Sequence, residues 1–164
     1  MKSALQRARA TLKEYLPERR DEWGQSADPT VEERGLLQRY IDAHERGDAT
    51  AVAELLAEDV RLTMPPNPEW FVGREAIAGI HTEVFDPASA WYHGRWRSVP
   101  TRANRQPAIA HYCQRPTAEA TKTLRGEYKA QVLDVLRVED AKVVEITAFE
   151  PPMFPAFGLP LTLG

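Results

Sequence analysis

A single cysteine, Cys113, stands among the 164 residues. An internal disulfide is excluded, and so is a thiolate metal site, which needs several sulfurs. A lone thiol of this kind fits a reducing cytoplasm and reads as core filling. No apolar stretch approaches the ~20 residues needed to span a bilayer, and the N-terminus lacks the apolar run of a secretory signal. No membrane association is expected, and a cytoplasmic location is. The chain has no glycine-rich phosphate loop, no nucleophile elbow and no His, Cys or Asp cluster at metal-ligand spacing, so no motif calls for a metal or a cofactor. Internal repeats and low-complexity tracts are also missing. The net charge is -3, from 21 Lys and Arg against 24 Asp and Glu, which gives no global reason to bind nucleic acid. What is present is 43% hydrophobic and 27% charged residues in a length usual for one folded domain.

The positive charge is concentrated at the start. MKSALQRARATLKEYL carries Lys2, Arg7, Arg9 and Lys13 against Glu14. Leu5, Ala8, Leu12, Tyr15 and Leu16 recur at three- and four-residue spacing, predicting an amphipathic helix that ends at Pro17. Residues 17–29 mix Pro, Gly, Ser and charges around Trp23, the composition of a linker. A new unit begins at Thr30, which has the spacing of a capping box with Glu33. Leu36, Leu37, Tyr40, Ile41 and His44 supply a buried helical face, and Gly47 ends the helix. Asp48 caps a second helix over DATAVAELLAED, with Val52, Leu55 and Leu56 inward.

The period then changes. Val60, Leu62 and Met64 alternate with Arg61 and Thr63, which predicts a half-buried strand stopped by PPNP. A third helix runs from Gly73 to Phe85 with Ala76, Ile77, Ile80 and Val84 at helical spacing. The remaining segments AWYHGRWRSV, PAIAHYCQ, YKAQVLDVLRV and KVVEITAFE are β-prone, joined by a hairpin at TRANRQ and a turn at Glu139 and Asp140. This order predicts an α+β domain in which an antiparallel sheet wraps about three helices.

DATAVAELLAEDVRLTMPP leading into a Trp-Phe-x-Gly-Arg-Glu-Ala-Ile helix resembles the cone-shaped fold shared by nuclear transport factor 2, ketosteroid isomerase and SnoaL-like polyketide cyclases. The resemblance covers roughly residues 30–150. RYIDAHERGD, PPNPEWFVGREAI, PTRANRQPA and TAFEPPMFPAFGLP narrow it to the SnoaL-like extension carried by certain actinobacterial extracytoplasmic-function sigma factors, members of the sigma-70 family. KSALQRARATL resembles the last helix of a sigma region 4. The resemblance implies a stub of region 4 over 1–16, a linker over 17–29, a SnoaL-like domain over 30–150 and a tail over 151–164. It implies a transcriptional regulator whose partners are sigma regions 2 and 4 and RNA polymerase, with DNA reached only through those upstream regions. Met1 then fits either an artificial start or the start of a separate short gene.

Folds of this kind enclose an apolar pocket between sheet and helices. Tyr40, Trp70, Phe71, Trp91, Tyr92, Trp96 and Phe149 are candidates for its wall, by size and shape, or else plain core. A small apolar ligand is the expected occupant. His81 and His111 are the polar candidates. His111 shares strand parity with Ile109 and Cys113, so it faces inward either as a structural histidine or as a proton shuttle. An isomerase or cyclase of this fold needs a pocket carboxylate, and the first strand offers Arg61 and Thr63 where that base is expected. Asp134 shares parity with Val132 and Leu136 and is left as the partner of His111 in an enzymatic reading; exposure or an arginine pair is the plainer expectation. Glu145 is expected outward and Glu150 at a strand end.

Arg102, Asn104 and Gln106 form a turn and are candidates for contact with another domain, as are Phe154 and Phe157 in the tail. The tail's Met153, Phe154, Phe157, Leu159 and Leu161 are too apolar to leave in water, and are expected to fold over the pocket mouth or into an interdomain groove. Three readings remain open: a non-catalytic regulatory domain, a stand-alone enzyme acting on a lipophilic carbonyl compound, and a ligand-binding homodimer.

Overall fold

The computed structural model describes residues 30–116 and 126–164. The expected helix over 1–16 and linker over 17–29 lie outside the described residues. Helix α1 (Val31–Arg46) begins at the capping box, with the Glu33 amide donating to Thr30 Oγ1 at 3.1 Å and the Thr30 amide donating to Glu33 Oε2 at 2.7 Å. Gly47 closes it in the left-handed conformation, φ 65°. Helix α2 (Ala49–Leu55) is capped by Asp48, which accepts from the Ala51 amide at 2.9 Å. It is shorter than its sequence pattern, because strand β1 (Leu56–Thr63) already starts at Leu56 and pairs there with Val143. Pairing to the sheet outweighs the modest helix preference of LAED.

Strand β2 (Trp70–Val72) forms a short antiparallel edge on β1, and α3 (Arg74–Phe85) follows from Gly73. Its buried side chains are Ile77, His81 and Phe85. Ala76, expected inward, is exposed. AWYHG is a turn, not a strand; β3 (Arg95–Ala103) begins after it. Gly94 makes that entry feasible, since at φ 88° a Cβ would lie 2.0 Å from the Gln114 carbonyl oxygen. Gly94→Ala is therefore expected to destabilise the domain by well over about 1 kcal/mol, checked by urea unfolding.

Strand β4 (Gln106–Gln114) returns through Asn104 and Arg105, both at positive φ (51° and 67°), as a two-residue hairpin of the primed type. Strands β5 (Tyr128–Glu139) and β6 (Lys142–Phe149) are joined through Asp140 and Ala141, φ 48° and 57°, one position later than expected. The sheet order is β2-β1-β6-β5-β4-β3. It is mixed, not wholly antiparallel, because β1 runs parallel to β6.

Alternation splits the sheet into two faces. Ile109, Cys113, Leu136 and Ile146 face the helices and pack with Leu36, Tyr40, Val52 and Ile77. Ala108, Ala110, Tyr112, Leu133 and Val135 face the other way. That outer face is covered by the chain's end, a 3-10 helix (Pro151–Phe157) followed by β7 (Thr162–Leu163), which pairs with Tyr128 and Lys129 of β5. Phe154 is fully buried, edge-on to Tyr112 with ring centroids 5.3 Å apart. The Tyr112 hydroxyl donates to the Pro160 carbonyl at 2.9 Å. The tail thus docks on the face opposite the helices and does not fold over a mouth on the helix side. Phe154, expected as an interdomain contact, is spent on this packing, while Phe157 is part-buried beside it.

Candidate functional site

Four elements bring a polar cluster into the otherwise apolar space between α1, α3 and the sheet. One turn of α1 separates Tyr40 from His44, which places both on the sheet-facing side. His81 comes from the inner face of α3. On β4, His111 lies opposite Val132 of β5, while Ile109 lies opposite Asp134. His111 and Asp134 are therefore diagonal neighbours on one face, within reach for a ring and a carboxylate. On its other side His111 is paired with Ser98 of β3.

The side chains follow this register. His111 Nε2 is 3.5 Å from Asp134 Oδ2, and His111 Nδ1 is 2.8 Å from Ser98 Oγ. The Tyr40 hydroxyl donates to Asp134 Oδ2 at 3.3 Å. The His44 ring stacks on His111, centroids 4.3 Å apart and planes inclined by 25°. His44 Nδ1 lies 3.0 Å from the Tyr40 carbonyl oxygen, and His81 Nδ1 lies 2.8 Å from that of Ile77. A carbonyl only accepts, so both Nδ1 atoms carry the proton. The two Nε2 atoms face each other at 3.2 Å. His44, His81, His111 and Asp134 are all buried.

Beside the cluster lies a cavity of about 140 Å³. Tyr40, His44, His81 and Asp134 contribute its polar side, and Leu62, Met64, Val84, Phe85, Trp96 and Ile146 much of the apolar wall. Gln131 enters the lining at a bulge in β5, where the register slips between His111 and Tyr112. Trp96, part of this wall, keeps its Nε1 buried without a hydrogen-bond partner.

The expected aromatic wall is only partly there. Tyr40 and Trp96 line the cavity, and His81 joins them. Trp70 and Trp91 do not: they are 66% and 69% exposed, the first on the edge strand β2 and the second in the turn before β3. Tyr92 shares that turn and is half-buried. Phe71 packs against the inner core without lining the cavity, and Phe149 packs on the outer face with the tail. His111 sits behind the wall, touching the cluster and not the cavity. Asp134, for which exposure or an arginine partner was the plainer expectation, is 6% exposed and faces His111. Glu145 bonds Arg137 at 3.0 Å on the surface, and Glu150 accepts from Asn67 at 3.3 Å. Arg102 and Asn104 are exposed at the hairpin and Gln106 is half-buried. His44 was read only as part of a helical face; its i, i+4 spacing from Tyr40 was the available signal.

Burial sets the protonation of this cluster. The His44 imidazole is held well below the ordinary histidine value, chiefly by desolvation and then by His111 and His81, against an upward pull from the Tyr40 carbonyl. His81 is lowered, again chiefly by burial and slightly by His111, although the Ile77 carbonyl and Asp134 pull it up. The Tyr40 hydroxyl is raised well above its usual value by burial and by Asp134. Unfolded histidines take up a proton near pH ~6.5, whereas these two resist it in the fold. Their contribution to stability is thus complete above pH ~6.5 and is lost as the pH falls below it. The thermal midpoint should be flat from about pH 8 to 7 and decline on acidification below about 6.5; a rise over the same range would contradict the assignment.

Residues 37–146 match the sequence pattern of the SnoaL-like domain. The chain belongs to the SnoaL-like domain family. Solved structures agree on a cone-like α+β fold. A Kribbella flavida protein provisionally assigned as a ketosteroid isomerase superposes with TM-score 0.53 at 27% identity, over 74% of this chain and 79% of that one. An NTF2-like protein of unknown function from Mesorhizobium loti gives TM-score 0.55 at 19% identity, over 75% and 93%. Beyond the SnoaL-like region, the chain is 33% identical over 162 residues to the ECF RNA polymerase sigma factor SigG of Mycobacterium tuberculosis. That similarity covers 98% of this chain and 40% of the sigma factor, so the SnoaL-like chain spans about two fifths of its relative's length. Among the described residues no helix is long and apolar enough to cross a membrane.

Proposed function

We propose that this SnoaL-like chain is the regulatory part of an extracytoplasmic-function sigma factor, acting on how sigma regions 2 and 4 engage RNA polymerase. The observation that carries this reading is the similarity to SigG across 98% of the chain, which extends through residues 1–29 as well as the SnoaL-like region. The basic helix expected over 1–16 fits the end of a region 4, and DNA contact belongs to the regions upstream. The cavity suits a small apolar ligand, because its wall is mainly aliphatic and aromatic. Binding there couples to the sheet through Tyr40 and Asp134, which join α1 to β5. The coding sequence immediately upstream tests the reading: an in-frame stretch for sigma regions 2 and 4 is expected, and a stop codon followed by a separate ribosome-binding site would contradict it.

The His111–Asp134 pair beside an open cavity favours a second reading, an isomerase or hydratase acting on a lipophilic carbonyl compound. Asp134 lines the cavity and is the base in that case; His111, behind it, positions the carboxylate. Asp134→Asn would then abolish turnover while leaving ligand binding in place. A homodimer through the outer sheet face is disfavoured, since residues 151–163 occupy that face.

A further inference from the structure

The 3.2 Å contact between His44 Nε2 and His81 Nε2 has an electronic consequence. Each ring already spends its proton at Nδ1 on a backbone carbonyl, His44 on Tyr40 and His81 on Ile77. Two neutral imidazoles in this state point bare lone pairs at one another, a repulsive arrangement unless an electrophile lies between or beside them. A metal ion meets that demand through coordinate bonds. With metal–nitrogen bonds of about 2.0–2.1 Å, two imidazoles on one Zn²⁺ have their nitrogens a little over 3 Å apart, as found here.

The surroundings complete the pattern. Nδ1–H donation to a carbonyl is the outer-shell bond that metal-bound histidines nearly always make. The donor atoms of His44, His111 and Asp134 all lie within 4.8 Å of one another, and Asp134 supplies the negative charge. His111 Nε2 is fully buried, has no hydrogen-bond partner and stands 3.5 Å from Asp134 Oδ2. His111 stacks face to face on His44, so one ion cannot lie in the plane of both rings without repacking. His111 therefore fits the outer shell, orienting the carboxylate, while His44, His81 and Asp134 are the three donors that line the cavity. No single stretch of sequence announces this set, because it is drawn from α1, α3 and β5.

The geometry points to a buried transition-metal site in which His44 Nε2 and His81 Nε2 hold one divalent ion and the Asp134 carboxylate, grouped with His44, turns in as the third donor, Zn²⁺ being the best match to two imidazoles and a carboxylate. The fourth position faces the cavity and takes water or a ligand oxygen. This site stands whether or not the chain belongs to a sigma factor, and its test does not involve RNA polymerase.

Chelator-treated protein is titrated with Zn²⁺ by calorimetry, followed by metal analysis after gel filtration, and with Co²⁺ as a coloured substitute. One ion per chain is expected, with visible d–d bands from Co²⁺. His81→Gln and His44→Gln should each weaken binding by about 100-fold or more. His44 lies in the core, so its variant is backed by a measurement on unaltered protein: imidazole nitrogen NMR should show both Nε2 resonances shifting on Zn²⁺ addition with both Nδ1 protons retained. Absence of a retained ion, binding by either ligand variant as tight as the parent's, or unshifted Nε2 resonances would each overturn the proposal.

Discussion

Phe154→Ala is expected to cost about 3–5 kcal/mol, the range for emptying a fully buried aromatic site. Phe154 is 0% exposed although it belongs to a terminal segment in which Met153 and Leu161 are 40% and 49% exposed. Its ring is the anchor: it meets Tyr112 edge-on and sits among Ala110, Leu133 and Val135 of the outer face. The rest of the tail is held by two β7 pairings, the bonds from Tyr112 to Pro160, Ala130 to Leu161 and Arg97 to Gly164, and part-buried Phe157, Leu159 and Leu163, with Phe154 as its fully buried anchor. Truncating the ring therefore releases the segment and bares an apolar sheet face, which should promote self-association. Thermal unfolding checks the magnitude, at about 2–4 °C of midpoint per kcal/mol for a chain of this size. Light scattering checks the association. Met153→Ala, on the exposed side of the same 3-10 helix, should stay within about 0.5 kcal/mol of the parent.

Asp134→Ala should be nearly as damaging, at about 2–4 kcal/mol, for a different reason. The carboxylate accepts the hydroxyl of Tyr40, itself 0% exposed, and faces His111, also 0% exposed. Removing it leaves the buried phenol donor of Tyr40 without its acceptor and takes the carboxylate away from the buried His111 ring. Asp134→Asn keeps an acceptor oxygen in nearly the same volume, so its cost should be about 1 kcal/mol. Urea midpoints at unchanged m-value would establish the ranking. Equal costs for the two substitutions would mean that the polar bonds of Asp134 contribute nothing beyond its volume.

Local rules carried much of the fold. The Thr30–Glu33 capping box, Gly47 and Asp48 all stand where sequence chemistry put them, because a cap depends on residues within one turn. Strand parity placed His111 on the inner face, since alternation is a property of each strand alone; it allowed the same for Asp134, where exposure or an arginine pair is the plainer expectation and burial is what the fold shows. Features set between elements were less legible. β1 starts early because Leu56 finds Val143, and it runs parallel to β6, neither of which β1 can signal by itself. Trp70 and Trp91 look like pocket wall by composition, yet an edge strand and a turn leave them in water. The tail's apolar residues demanded a partner surface, but which sheet face they would take depends on the alternation of β4 and β5 together. His44 and His81 lie 37 residues apart on separate helices, so their contact belongs to packing and not to spacing.

Promoter-directed transcription with core RNA polymerase tests whether this SnoaL-like domain regulates a sigma factor, as proposed. The proposed sigma factor, with regions 2 and 4 ahead of this chain, is compared with the same protein ending before Thr30, at equal occupancy of polymerase. Transcript yield from the cognate promoter is expected to change several-fold when the domain is removed. Identical yields, with and without the domain, would contradict it.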